Sequence, residues 1–159
     1  MALSNRNNRQ IFDSFRSIWV KATPEEIVRQ SVLRKMVHDL GYPRELIAVE
    51  KEIGELVPLH SVSAPQRRID IVCFKKDLTS GLRPLLLIEC KDEPIAQKAI
   101  DQVIGYNAFI KAPFLSVVSR EGEIIGQWDA RQRNYQFRRG FPSYQELLDC
   151  VILDDTQTR

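Results

Sequence analysis

The sequence has little of the charge imbalance that would reveal its partners by composition alone. It contains 23 Lys and Arg residues against 21 Asp and Glu residues, so the formal net charge is only +2. A balance this close to neutral excludes a basic field over the whole surface, and any contact with nucleic acid must come from a local patch. The apolar fraction of 43% in 159 residues is that of an ordinary globular domain with a real core.

Cysteine is also scarce. The three cysteines, Cys73, Cys90 and Cys150, are an odd number at wide spacings, which is neither a disulfide framework nor a metal-ligand pattern. Cys73 and Cys90 lie within apolar runs, where a free thiol packs as a small core residue. We therefore expect a reducing, cytoplasmic setting.

Long apolar segments, internal repeats and glycine-rich phosphate loops are absent from the sequence. The longest aliphatic run is far shorter than the roughly 20 residues that cross a bilayer, and no signal-peptide core opens the chain. No loop of the P-loop kind occurs before the last residue, so we expect a stand-alone domain without a nucleotide-driven motor. We predict an N-terminal arm over 1–22, a single domain over 23–153 and a polar tail over 154–159. The arm is expected to be partly mobile or to form a short helix, because its apolar residues fall at helical spacing. These apolar residues would either dock on the domain or form a surface for a partner.

The sequence does contain a buried strand that ends in charged residues. The aliphatic run Leu85–Ile88 leads directly into Glu89 and Lys91, which point to the same side because side chains alternate along a strand. An acid and an amine in such a place are costly to desolvate unless they are paired or hold a ligand. A second acid, Asp70, precedes another apolar run, Ile71–Phe74.

If the two strands pair in antiparallel fashion, Asp70 and Glu89 meet at one end of a sheet, with Lys91 beside them. Two carboxylates suit Mg²⁺, for which Mn²⁺ is a possible substitute, because Mg²⁺ uses few carboxylates and keeps several waters. Lys91 would then orient or deprotonate a water molecule, or stabilise charge on a phosphate. This is a phosphodiester hydrolysis site in outline. A purely structural ion cluster is the alternative, although such clusters rarely stabilise a fold more than apolar packing does.

Asp70, followed by Glu89-Cys90-Lys91 after an aliphatic strand, resembles the D…(D/E)xK signature of the restriction-endonuclease-like nucleases. In particular, the chain from about Thr23 to about Trp128 is similar to the N-terminal nuclease domain of type I restriction enzyme R subunits. Further segments that carry the resemblance are Pro24–Gln30, Gly41–Pro43 with Val49-Glu50, and Gln102–Asn107. The resemblance implies an α/β (α+β) fold with a restriction-endonuclease-like core, in which helices flank a mixed central sheet of about five strands.

The resemblance also implies roles for individual residues. Asp70 and Glu89 would bind the metal, Lys91 would assist the attacking water, and Gln102 would position it unless it is an exposed helix residue. The family acid near the start of the first helix is implied to be Glu26. However, Thr23-Pro24-Glu25-Glu26 is also typical of a capping box, in which Glu26 only caps the helix.

Two other charged residues in the matching segments have competing interpretations. Arg29 either meets a phosphate or forms a surface ion pair with Glu25 or Glu26, and we expect the surface pair. Glu50 corresponds to a family position near the site, and it is equally typical of a solvated strand end.

Basic side chains are the candidate contacts to nucleic acid. Arg67 and Arg68 precede Asp70, where they would either hold a DNA backbone or neutralise the acids. The segment 131–139 alternates basic and aromatic residues, which is typical of a nucleic-acid-binding stripe or of an edge strand protected by charge. The candidate set is Arg67, Arg68, Lys98, Arg131 and Arg133.

The sequence therefore predicts a metal-dependent nuclease acting on DNA. The alternative is a non-catalytic module that keeps the nuclease fold and binds nucleic acid or protein. We expect DNA as a partner, a possible protein partner that supplies specificity, and a possible dimer, since double-strand cutting needs two sites. No membrane partner is expected.

Overall fold

The computed structural model describes residues 9–57 and 64–157 of the chain, and within these ranges it forms one six-stranded sheet, a separate hairpin and four α-helices. The hairpin consists of β1 (Gln10–Asp13) and β2 (Ile18–Lys21). The large sheet consists of β3 (Ile47–Glu52), β4 (Arg68–Asp77), β5 (Gly81–Cys90), β6 (Phe114–Val118), β7 (Glu123–Asp129) and β8 (Asn134–Arg139). The helices are α1 (Pro24–His38), α2 (Ile53–Leu56), α3 (Gln97–Ile110) and α4 (Tyr144–Gln157).

The strand order of the large sheet is the same as the order along the chain, from β3 at one edge to β8 at the other. Neighbouring strands are antiparallel except for β5 and β6, which are parallel because α3 carries the chain back across the sheet. The predicted α/β class with a mixed central sheet is confirmed. The sheet has six strands and not about five, because the basic and aromatic segment after residue 133 pairs with β7 as an edge strand.

Helices cover both faces of the sheet and bury its central strands. On one face, α1 and α4 pack on alternate residues of β4 and β5, including Ile71 and Ile88. On the other face, α3 packs on the intervening residues, including Val72 and Leu87. This double coverage explains why β5 has a continuous aliphatic run, since both of its faces lie in the core. The central strands are therefore a rigid support for whatever lies at their ends.

The helix boundaries follow local capping chemistry. The hydroxyl oxygen of Thr23 accepts a hydrogen bond of 3.1 Å from the Glu26 N–H, and Pro24 occupies the first helical position, as predicted for α1. The helix α3 begins at Gln97 and not near Pro94, because the backbone is still extended at Ala96. At the C-terminal end of the chain, α4 continues to Gln157, so residues 154–157 of the predicted tail are helical.

The N-terminal arm is a β-hairpin in its described part, and the prediction of a short helix there is wrong. The carboxylate of Asp13 accepts hydrogen bonds from the N–H groups of Phe15 at 2.8 Å and Arg16 at 3.2 Å, which closes the turn. Ser17 then takes a left-handed backbone conformation (φ of 56°), which a helix does not tolerate. Residues 1–8, where a mobile arm was predicted, and residues 158–159 of the predicted tail lie outside the described residues. No helix in the described ranges is both long enough and apolar enough to span a membrane.

Candidate active site

The ends of β4 and β5 bring the two predicted metal ligands to the same corner of the sheet. The strands are antiparallel, as predicted, and Ile71 pairs with Ile88. Asp70 and Glu89 lie one residue beyond this pair, so the register carries both acids to the same end. Both are buried, with 6% of Asp70 and 4% of Glu89 exposed. Two carboxylates in such a place need partners or a cation.

Glu89, Lys91 and Gln102 form one hydrogen-bonded group. Lys91 Nζ donates to Glu89 Oε1 at 2.7 Å, and Gln102 Nε2 donates to the same oxygen at 2.6 Å. Lys91 Nζ also contacts Gln102 Oε1 at 3.2 Å. Gln102 reaches the site from α3 and its Nε2 also donates to the Tyr106 hydroxyl at 2.8 Å. Tyr106 was not predicted as a site residue, although its i,i+4 spacing from Gln102 places both on one helix face.

Burial and neighbouring charges shift the pKa values of Glu89 and Lys91. Burial and the charge of Asp70 raise the pKa of Glu89 from 4.5 to about 7, although Lys91 acts in the opposite direction. Burial would lower the pKa of Lys91, but its hydrogen bond to Glu89 and the surrounding acids outweigh burial and raise it. Lys91 is therefore a cation at neutral pH, and Glu89 titrates in the physiological range. The site carries more negative charge than its own lysine compensates.

The carboxylate of Asp70 is fixed by two protein donors. Its Oδ1 accepts from Arg29 Nη2 at 2.5 Å, and its Oδ2 accepts from the Cys90 N–H at 2.7 Å. Arg29 pairs with Glu25 and Glu26 as predicted, but only 5% of it is exposed, so the predicted surface location is wrong. The reason is that α1 packs directly on the central strands, which places Arg29 between the acids of α1 and those of the sheet.

Glu50 is one of those acids. Its Oε1 lies 2.6 Å from Arg29 Nη2. Its backbone is left-handed, with a φ of 54°, at the position of β3 that lies opposite Asp70 in the register. A left-handed conformation costs about 1–2 kcal/mol for a residue with a side chain, and such strain concentrates at functional sites. Glu50 is thus part of the site and not a solvated strand end.

The first helix contributes two acids in different roles. The carboxylate of Glu26 contacts Arg29, accepts from Arg16 Nη2 at 3.1 Å on both oxygens, and accepts from Gln30 at 2.8 Å. Glu26 is therefore one contact removed from Asp70, and its carboxylate does not complete a capping box. The other acid of α1, Glu25, contacts the same arginine at a longer distance.

The sequence predicts Glu25 only as a possible surface partner of Arg29. Burial and Asp70 raise its pKa, whereas Lys91 and Arg29 lower it, so its carboxylate lies in the field of the site. Its Oε1 lies 3.8 Å from Arg29 Nη2. The i,i+4 spacing of Glu25 and Arg29 is the sequence signal that identifies this pair.

The predicted nucleic-acid contacts divide into two groups. Lys98 lines a cleft of about 230 Å³ together with Lys91 and Gln102. Arg67 is exposed and directly precedes β4, at the end of that strand that carries Asp70. Arg68 is exposed and lies near two acids of β3, at 3.8 Å from Glu50 and 3.7 Å from Glu52.

Arg131 and Arg133 lie at the other end of the sheet. β7 begins opposite Val118, at the same end as Cys90, so the turn after Asp129 lies at the opposite end. Both arginines precede β8 in that turn. The structure does not bring them together with Asp70 and Glu89.

The acids fit a divalent cation by their chemistry and number. Among the residues that the structure describes, no three His, Cys, Asp or Glu side chains form a ready-made metal cage. Mg²⁺ does not require one, because it binds one or two carboxylates and completes its shell with water and substrate phosphate. Burial, together with the charge of Asp70, raises the pKa of Glu89, and a bound cation would favour its ionised form. Asp70 and Glu89 are the residues that would hold the ion.

Comparison with known proteins agrees with this fold. A fragment of an HsdR subunit of a type I restriction enzyme from Vibrio vulnificus YJ016 superposes with a TM-score of 0.51 and 15% sequence identity. The match covers 85% of this chain and 26% of that chain, so this chain spans about a quarter of its length. An identity of 15% shows the fold alone. No curated protein matches the sequence.

The sequence itself matches a family over most of its length. The sequence model of the type I restriction enzyme R protein N terminus matches residues 24–142, which include all of β3 to β8 and the corner that holds Asp70 and Glu89. The chain therefore belongs to the family of type I restriction enzyme R protein N-terminal domains, and it has the nuclease-like domain of those enzymes.

Proposed function

We propose that the protein is a metal-dependent nuclease that hydrolyses phosphodiester bonds of DNA. Asp70 and Glu89 hold Mg²⁺, for which Mn²⁺ can substitute. The observation that carries the proposal is the meeting of Asp70, Glu89, Lys91 and Gln102 at one corner of a rigid sheet, where Glu89 is within 2.7 Å of both Lys91 and Gln102. The carboxylates of Asp70 and Glu89 suit a cation, and the ammonium group of Lys91 beside them suits a phosphate.

The protein groups have distinct tasks in this proposal. When bound, Mg²⁺ supplies Lewis-acid stabilisation of the phosphoryl oxygen. Lys91 Nζ, held by Glu89 and Gln102, presents a positive charge at the cleft, where it orients the attacking water and stabilises charge on the phosphate. Gln102 fixes Lys91 and Glu89 relative to each other, and the Tyr106 hydroxyl fixes Gln102. Arg67 and Lys98, on the rim, contact the DNA backbone.

A non-catalytic module that binds nucleic acid or protein is the second candidate. The observation that favours it is that both oxygens of Asp70 already accept hydrogen bonds, from Arg29 and from the Cys90 N–H. We also propose that a protein partner supplies specificity and that cutting of both strands uses a dimer, since two strands need two sites.

A cleavage assay separates the two candidates. Linear duplex and single-stranded DNA are incubated with the purified protein in Mg²⁺, Mn²⁺ or EDTA, alongside Asp70→Asn and Lys91→Ala. The control is Lys76→Ala, which removes an exposed lysine from the other end of β4. Cleavage that requires the metal, is lost in both site variants and persists in the control supports the nuclease. DNA binding without cleavage in either metal supports the module.

A further inference from the structure

A chain of ion pairs connects the N-terminal hairpin to Asp70. Arg16 bonds to Asp13 and donates to both carboxylate oxygens of Glu26 at 3.1 Å. Glu26 bonds to Arg29, and Arg29 donates to Asp70 at 2.5 Å. The hairpin lies outside residues 24–142, which match the family. This series of ion pairs thus runs from a hairpin outside the matched residues to Asp70, a residue of the proposed metal site.

The orientation of the Arg29 guanidinium depends on the carboxylates that surround it. Its terminal nitrogens bond to Glu26, Glu50 and Asp70, while its Nε is buried without a hydrogen-bond partner among the described residues. Burial acts to lower the pKa of Arg29, but Asp70 and Glu50 outweigh it and raise the pKa, so the guanidinium is always charged. The orientation of its planar group is therefore set by the acids around it.

Glu26 in turn depends on Arg16. Its carboxylate faces two guanidinium groups, and the one from Arg16 engages both of its oxygens. Arg16 is held from behind by Asp13, which is fully buried and also closes the turn of the hairpin. Burial acts to raise the pKa of Asp13, but its bonds to Arg16 and Phe15 outweigh it and lower the pKa, so Asp13 stays ionised. Each charge in the chain is thus compensated by the next.

We propose that Arg16 is a positioning residue for the metal site, which acts through Glu26 and Arg29 to fix the carboxylate of Asp70. The proposal rests on the proposed nuclease function for its catalytic consequence, but the positioning itself is a property of the folded chain. With Arg29 on Oδ1 and the Cys90 N–H on Oδ2, the plane of the Asp70 carboxylate is defined by these two donors. Removal of a residue that hydrogen-bonds a metal ligand directly, as Arg29 does here, typically changes metal affinity or activity by about 10–100-fold, and Arg16 acts behind Arg29 through Glu26.

Arg44 provides a matched control because it anchors the same hairpin without joining the chain of ion pairs. Its guanidinium donates to the Ser14 carbonyl oxygen and lies 4.2 Å from the centroid of the Phe15 ring. If Arg16 only fastened the hairpin to the domain, Arg16→Met and Arg44→Met would have the same effects. The proposal requires that Arg16→Met alters the position of the Asp70 carboxylate and that Arg44→Met does not.

The Cys90 amide is a reporter of Asp70 that works without metal or DNA. Nitrogen–proton correlation spectra of the full chain are recorded in EDTA for the wild type, Arg16→Met, Arg16→Lys and Arg44→Met. We expect the Cys90 resonance to move in Arg16→Met, to return part of the way in Arg16→Lys, and to stay in place in Arg44→Met. A Cys90 resonance that is unchanged in Arg16→Met, or that moves equally in Arg44→Met, would overturn the proposal.

The catalytic consequence is measured separately. Cleavage is followed against Mg²⁺ concentration, and Mn²⁺ binding by calorimetry. We expect Arg16→Met to raise the metal concentration at half-maximal cleavage about 10-fold or more, with a smaller change in the maximal rate. A wild type that neither cuts nor binds metal would remove the proposed function, while the Cys90 resonance would still decide whether Arg16 positions Asp70. Unchanged metal dependence in Arg16→Met, beside an active wild type, would remove the positioning role in catalysis.

Discussion

The pH dependence of stability is a direct consequence of burying Glu89 beside Asp70. In the folded protein the pKa of Glu89 is about 7, whereas its ordinary value is 4.5. Between these two values the folded state holds a proton that the unfolded state has released. The contribution of Glu89 to stability is therefore fully present at and below about pH 4.5 and is lost as the pH rises through about 7. Substitution of Glu89 by Gln removes this titration and leaves an amide oxygen to accept from Lys91.

The loss of unfolding free energy follows from the size of the pKa shift of Glu89. Each pKa unit corresponds to about 1.4 kcal/mol, so a rise from 4.5 to about 7 is worth roughly 3 kcal/mol. Most of that loss, roughly 2–3 kcal/mol, falls between pH 5 and pH 8. Glu25 contributes with the same sign, because its pKa is also raised. A divalent cation favours the ionised carboxylates, so saturating Mg²⁺ makes the decline shallower.

Urea unfolding at four pH values from 5 to 8, in EDTA, measures the effect. The unfolding free energy of the wild type is expected to fall with pH relative to that of Glu89→Gln, by roughly 2–3 kcal/mol over this interval. The difference between the two proteins removes the contributions of other titrating groups. Parallel curves for the two proteins, or a wild type that gains stability relative to the variant, would refute the burial argument for Glu89.

Three further predictions concern single residues. Lys91→Ala should reduce DNA cleavage by about 10²–10⁴-fold while Mn²⁺ binding by calorimetry persists, since the lysine is not a ligand; retained cleavage would contradict its role. Arg29→Met should lower the unfolding free energy by about 3–5 kcal/mol in urea titrations, because it leaves several buried carboxylates without their cation; an unchanged midpoint would contradict this. Gly126→Ala should cost about 1–3 kcal/mol, because a Cβ there would lie 2.5 Å from the Phe137 ring. Gly105→Ala in α3, where a Cβ meets nothing within 4 Å, is the matched control, and an equal loss in both would exclude steric crowding.

The sequence was sufficient to predict the fold class and the central strands. Continuous aliphatic residues indicate burial on both faces, and Leu85–Ile88 is covered by helices on both sides. Capping chemistry placed the start of α1 at Pro24. The hairpin was mistaken for a helix because apolar residues at spacings of three and four also occur in a short hairpin with its turn between them. The residue that decides is Asp13, whose side chain closes the turn.

The site was predicted where chemistry and strand alternation coincide. Glu89 and Lys91 lie on one side of β5, and antiparallel pairing brings Asp70 to the same end. The burial of Arg29 was not predictable from the sequence, since an Arg three or four residues from an acid is usually a surface pair. Its burial depends on acids contributed by three different elements. The i,i+4 spacing of Glu25 and Arg29 does indicate their pairing, but not that Asp70 lies close enough to raise the pKa of Glu25, an effect that comes after burial.

Anomalous diffraction from crystals grown with Mn²⁺ tests the central proposal most directly, because it locates the ion independently of any activity. The account predicts an anomalous peak at the corner of β4 and β5, within ligand distance of both the Asp70 and Glu89 carboxylates, that is lost in crystals of Glu89→Gln. Crystals of the wild type in saturating Mn²⁺ with no peak between these two carboxylates would contradict it.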